Sequence, residues 1–176
     1  MCAIIFSSCV KTWTRVENPQ MKGPNGLYRV TVPACWIHAA FIADRICISK
    51  DGPSLNWIEV SHFDRSAGFP LTHTTLNGDH LITEVAEYDL AELKARFKGH
   101  TVNHLATEPA EIDGKTGFRM RLELIMPSGL VFDVMAYGMM DEGHFYQMLY
   151  KAPRIHYYEK ELATFEDFVA TFKTAL

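Results

Sequence analysis

The sequence predicts an α+β fold, one antiparallel β-sheet flanked by helices. Three observations predict it. Residues 118–151 hold three alternating runs joined by Pro127-Ser128-Gly129 and Asp141-Glu142-Gly143, and turns this short force antiparallel neighbours. The middle run is apolar on both faces, with Leu130, Phe132, Val134 and Ala136 on one and Val131, Met135, Tyr137 and Met139 on the other, so it needs cover on both sides. Two stretches, one over residues 84–98 and one from residue 164 onward, carry the helical stripes that would supply that cover.

In chain order, Phe6-Ser7-Ser8-Cys9 resembles a bacterial lipobox, in which an apolar residue and two small ones precede a cysteine that takes a diacylglyceryl group. Only eight residues precede Cys9 and none is basic, so this reading requires a longer signal ahead of Met1. The alternative is a short buried strand or a loose terminus with a free thiol. Residues 10–26 are polar, with Pro19, Gly23, Pro24 and Gly26, and read as a tether. Residues 1–26 are therefore expected to be a truncated signal and tether, and residues 27–176 a single globular domain.

Within that domain Leu27–Val32 alternates and stops at Pro33, and Arg45–Lys50 forms a second strand closed by Asp51-Gly52-Pro53. Trp57–Asp64 alternates again, with Trp57, Glu59, Ser61 and Phe63 on one face. Residues 65–82 read as a long loop. In the helix that follows, Ala86, Leu90, Leu93 and Phe97 form the stripe, Glu92 and Arg96 an i,i+4 pair, and Gly99 the end signal. The last helix is expected to start near Thr164, with Phe165, Val169 and Phe172 inward.

The 176 residues carry a net charge of -4, with 48% hydrophobic and 22% charged residues, an ordinary soluble composition that argues against disorder. The absence of a basic block argues against a nucleic-acid partner. No apolar run reaches the roughly 18 residues of a membrane-spanning helix.

Two cysteines flank the first hairpin, Cys35 and Cys47, and either a disulfide or two inert thiols is open to them. His100 and His104 are spaced i,i+4 but lack the glutamate of a zincin motif and follow Gly99. His73 and His80, with Asp79, are candidates for a loop metal site, the alternative being solvated loop histidines. His62 with Asp64, and His144 with Tyr146, share strand faces and would need a tertiary partner for acid–base work. Neither a GxSxG elbow, a P-loop nor a GxGxxG occurs. Arg119, Arg121 and Glu123 share a strand face, and Asp133 and Tyr137 share one on the next strand. A hairpin near Ser128 would join them either as an anion- or partner-binding groove or as a cross-strand ion-pair ladder.

Ile112-Asp113-Gly114-Lys115-Thr116-Gly117-Phe118-Arg119 leads a glycine turn into a strand. Phe145–Pro153 forms another strand, followed by Tyr157-Tyr158 and Phe165–Phe172. With Tyr28–Pro33 and Trp36, this pattern resembles small bacterial envelope lipoproteins of the PsbP/DcrB-like kind, over most of residues 27–176. The resemblance implies a PsbP-like α/β/α sandwich and a non-enzymatic accessory domain. Such a domain would dock to an envelope protein or membrane-complex component, hold no cofactor and offer no catalytic residues. The expectation is thus a lipid-anchored domain facing the periplasm. One alternative is a cytoplasmic metal-binding protein or hydrolase using loop histidines. Another is a carrier of an apolar ligand, for which eight methionines and many aromatics speak.

Overall fold

The computed structural model of the chain describes residues 13–175. Its first half is strand-rich: β1 (Trp13–Arg15), β2 (Gln20–Lys22), β3 (Tyr28–Thr31), β4 (Ile37–Ala39), β5 (Ile46–Ser49) and β6 (Trp57–Asp64). After the 65–81 loop come α1 (Ile82–Arg96), β7 (Thr101–Ile112), β8 (Lys115–Ile125), β9 (Val131–Asp141) and β10 (His144–Pro153). The chain closes with α2 (Tyr157–Ala170) and β11 (Lys173–Thr174). An eight-stranded antiparallel sheet runs β1-β4-β5-β6-β10-β9-β8-β7, and a small second sheet runs β11-β3-β2.

The middle strand of the meander decides the layering. Phe132, Val134 and Ala136 of β9 are buried on the α1 side with Val85, Leu93, Phe118, Met120, Phe145 and Leu149. Met135, Tyr137 and Met139 of β9 are buried on the α2 side with Tyr146, Tyr150, Phe165, Phe168 and Phe172. The small sheet shares that second core through Tyr28 and Val30. Helix α1 lies over β7, β8 and β9 and leaves the β5–β6 half of its face to loops.

Several expectations are corrected. Residues 13–26 are not a tether. Trp13–Arg15 pairs with β4, Gln20–Lys22 pairs with β3, and Trp13 stacks edge-on against Trp57 at 5.6 Å. The meander gains a fourth strand, β7, an edge strand with a bulge between His104 and Ala106. Its side chains are mostly exposed, so it lacks the apolar alternation that marks its neighbours. Helix α2 starts at Tyr157, well before Thr164, and stops at Ala170. Its inward stripe is Tyr158, Glu161, Phe165, Phe168 and Val169, and the carboxylate in that stripe, held by Lys50 at 2.7 Å, hides the first two turns from a hydrophobic pattern. Helix α1 likewise buries Asp89 and Glu92 beside Val85, Ala86 and Leu93. Cys35 and Cys47 are both free thiols, one exposed and one buried, so the disulfide alternative is not formed.

Candidate docking groove

Strand alternation puts Trp57, Glu59, Ser61 and Phe63 on the half of the sheet that α1 leaves uncovered, and Cys47 of β5 sits opposite Glu59. These β6 residues floor a groove about 20 Å long, the rise of the strand over the six steps from Trp57 to Phe63. Two chambers lie along it. One, about 550 Å3, is lined by Ser61, Phe63, Pro70, Leu71, Leu93 and Gln147 among others. The second, about 490 Å3, lies against Phe41, Ile42, Trp57 and Glu59. Arg45, Arg96 and Asp44 line both.

Glu59 organises the boundary between the chambers. Its side chain is 1% exposed and both oxygens are fully engaged. Arg96 donates from both Nη atoms, at 2.8 Å to Oε1 and 2.7 Å to Oε2. Arg45 donates to Oε1 at 3.3 Å, Ser61 to Oε1 at 2.9 Å and the Trp57 indole to Oε2 at 3.1 Å. Burial alone would raise this carboxyl, but the Arg96 hydrogen bonds and the charges of Arg96 and Arg45 outweigh it and hold Glu59 down at about 2. Burial pushes the neighbouring Cys47 thiol upward, which keeps it protonated and unreactive. Glu59 is therefore a permanent counter-ion that fixes two guanidiniums side by side.

The wall formed by α1 is unusual in presenting Asp89, Glu92 and Arg96, three polar residues spaced i, i+3 and i+7, along one line of the helix. Asp89 is fully buried, accepts from the Gln147 amide, and has no partner for Oδ2 among the described residues. Burial raises its carboxyl to about 7, the Gln147 hydrogen bond offsetting only part of the cost. Glu92 captures the loop above the groove by accepting from the backbone N–H groups of Leu71 at 3.1 Å and Thr72 at 2.9 Å, and from the Thr72 hydroxyl at 3.1 Å. Arg65 ties down the far side of that loop through the carbonyls of Leu76 and Gly78. Apolar groups mark both ends. Leu71 is 51% and Phe41 41% exposed, and Phe41 meets Trp13 edge-on at 6.0 Å.

The expected residues fall elsewhere. Arg119 sits opposite Tyr137 and Glu123 opposite Asp133, as the hairpin reading requires. Arg119 pairs with Glu108, and Arg154 pairs with Asp133 and Glu123, so those groups form a cross-strand ladder. Arg121 is an exposed neighbour on the same strand. His73 is an exposed loop residue with φ of 57°, and His80 faces Glu84 at 3.7 Å and Tyr88. Among the described residues no group of three His, Cys, Asp or Glu is placed to hold a metal ion. Among them, too, no helix is long and apolar enough to cross a membrane. Cys9 lies outside the described residues. Sequence reasoning gave Arg45, Glu59, Asp89 and Gln147 no site role and paired Arg96 with Glu92, where the structure pairs it with Glu59. The only signal was a glutamate beside two aromatics on one face of β6.

No family model matches the chain, and no curated protein sequence matches it. Solved structures do. Cyanobacterial PsbP (CyanoP) from Synechocystis sp. PCC 6803 superposes with a TM-score of 0.63 at 10% identity, over 89% of this chain and 91% of that one. A Bacteroides thetaiotaomicron VPI-5482 protein gives 0.57 at 9% identity, over 92% of this chain and 50% of its own. The Saccharomyces cerevisiae Ran-binding protein Mog1p gives 0.54 at 12% identity, over 89% and 95%. What this chain shares with them is the fold, a PsbP-like α+β sandwich.

Proposed function

We propose that this chain is a non-catalytic docking domain, held at a bacterial envelope by lipid on Cys9, that binds a protein partner through the β6 groove. The observation that carries it is the content of the groove. Trp57, Phe41 and two arginines meet there, and these are the residue types that concentrate binding energy at protein interfaces. The charged groups face one another rather than a reacting centre. Glu59 has no free lone pair in reach of a substrate, and Arg96 spends its charge on it. A protein-binding role fits the fold neighbours, one of which is a Ran-binding protein. The envelope address rests on the Phe6-Ser7-Ser8-Cys9 pattern.

Two experiments test the proposal in cells of the native host. A photo-crosslinking residue at Leu71 should trap one discrete protein, and the same residue at Glu159 on α2 should not. Equal or absent adducts at the two positions would refute the groove. Cys9→Ser should move the protein from the membrane pellet to the supernatant, and an unchanged distribution would refute the anchor.

A further inference from the structure

The outer face of the small sheet carries a row of cations that the fold does not require. Strands β2 and β3 turn Met21, Tyr28 and Val30 toward the core, while Lys22 and Arg29, with Lys173 of β11, are exposed. Register puts the three in line, since Arg29 lies directly opposite Lys22 on one side and Lys173 on the other. Side chains so paired stand about 5 Å apart at Cβ, and like charges there oppose the sheet rather than support it. Lys173 is balanced by Asp113 at 2.9 Å, and Lys115 beside it by Asp141. Lys22 and Arg29 have no ion-pair partner among the described residues, and Glu17, in the connection before β2, pairs with neither. Two uncompensated cations therefore stand side by side on a chain of net charge -4. The rest of the face is Gln20 and Thr31, directly opposite and hydrogen-bonded at 2.8 Å.

We infer that the outer face of the β11-β3-β2 sheet lies on an anionic phospholipid surface, with Lys22 and Arg29 against the headgroup phosphates and the β6 groove turned away from the bilayer. This rests on the reading of Cys9 as a lipid anchor and adds which side of the domain meets the membrane. Composition favours lipid over protein. Lysine is depleted and aromatic anchors are enriched at protein interfaces, and this face has two lysines, an arginine, an amide and a hydroxyl with no apolar centre. Unpaired cations beside an anchor are what an anionic leaflet attracts. Placement agrees with it. Tyr28 fixes the small sheet on the α2 side of the main sheet by donating to the Val60 carbonyl at 2.8 Å. The groove opens on the opposite side, beside α1, so one face can lie on lipid while the other receives a partner. Cys9 stands four residues before Trp13 and eleven before Gln20, and at no more than about 3.5 Å per residue an acyl chain there keeps the domain close to the headgroups.

The test uses the purified full chain carrying Cys9→Ser, so that no acyl group contributes. It is sedimented with vesicles of phosphatidylcholine alone or with about 30% phosphatidylglycerol. Only the anionic vesicles should carry it down, and raising salt from about 0.05 to 0.5 M should release it. Lys22→Gln/Arg29→Gln should weaken the partitioning about 25-fold, roughly fivefold per charge, with thermal stability unchanged or raised. Lys94→Gln/Lys98→Gln, the same change of net charge near the end of α1, should leave it near the parent value. Equal partitioning into both kinds of vesicle, or none up to about 10 mM lipid, overturns the inference. So does an equal loss in the two double variants, which would make the effect one of net charge alone. Retention on duplex DNA as strong as on anionic vesicles overturns it too. Because these measurements omit the acyl group, vesicle binding by a protein whose membrane fraction in cells ignores Cys9→Ser would sink the anchor and spare the surface.

Discussion

Arg96 closes both Nη atoms on both carboxylate oxygens of Glu59, at 2.8 and 2.7 Å, and so ties the last turn of α1 to a strand that the helix does not cover. Removing the arginine strands a buried carboxylate on β6. Arg96→Ala is therefore expected to lower unfolding stability by about 3–5 kcal/mol. Arg45→Ala loses a 3.3 Å contact from a residue whose other partner is the exposed Asp44, and should cost about 1 kcal/mol or less. Urea unfolding of the two variants checks the contrast, and equal losses would mean that the bidentate pair is not what anchors the helix end.

Asp89 gives stability a pH dependence of unusual sign. Its folded carboxyl sits at about 7, above its unfolded value of 3.8, so the folded state binds the proton more tightly. The stability it contributes is complete below pH 4 and is lost as pH rises through 7. Glu59, held at about 2, works the other way, and its stabilisation fails only as pH falls below 4.5 toward 2. Between pH 5 and 8 the Asp89 slope should dominate, and Asp89→Asn should flatten it and raise stability at pH 8. Urea midpoints at pH 5 and 8 for the parent and the variant decide it. A parent curve that is flat or rising over that range would show that Asp89 is ionised in the folded protein.

The meander was legible because β8, β9 and β10 alternate cleanly, and β9 announced two covered faces by being apolar on both. What escaped the pattern did so for a common physical reason. Glu161 sits in the inward stripe of α2, and Asp89 and Glu92 in that of α1, each compensated by a partner that hydrophobic periodicity cannot see. The groove was hidden for the same reason at longer range. Arg45 lies 14 and Arg96 37 residues from Glu59, and nothing local links them. The i,i+4 reading of Glu92 and Arg96 was sterically reasonable. It failed because each side chain found a partner with more to offer, a pair of orphan backbone N–H groups for one and a buried carboxylate for the other. The Arg119–Tyr137 register, by contrast, follows from a hairpin and a period of two, which a local pattern can carry.

Glu92 holds the loop above the groove by its backbone, so its loss should be felt there first. Glu92→Ala removes the acceptor for two backbone N–H groups and a hydroxyl, worth about 1–3 kcal/mol locally. Amide exchange at Leu71 and Thr72 should accelerate by about tenfold or more while β8–β10 stay protected. Limited proteolysis should then cut within residues 65–81. Uniform loss of protection across the sheet would show that Glu92 supports the core rather than the loop.

Gly68 and Gly143 separate two effects that left-handed glycines usually combine. Both have positive φ, 74° and 77°. A Cβ at Gly143 meets open space, so Gly143→Ala should cost only the left-handed penalty, about 1–2 kcal/mol. A Cβ at Gly68 runs into the backbone carbonyl of Thr74, the group that accepts from the Phe69 N–H at 3.0 Å. The backbone must give way there, and Phe69, fully buried against Phe63 and Phe145, moves with it. Gly68→Ala should therefore be the more damaging substitution and should also weaken binding in the groove, since Phe63 and Pro70 line it. Thermal unfolding of both variants, beside crosslinking from Leu71 in each background, separates the outcomes. Equal destabilisation, or intact binding by Gly68→Ala, would mean that the loop does not shape the chamber.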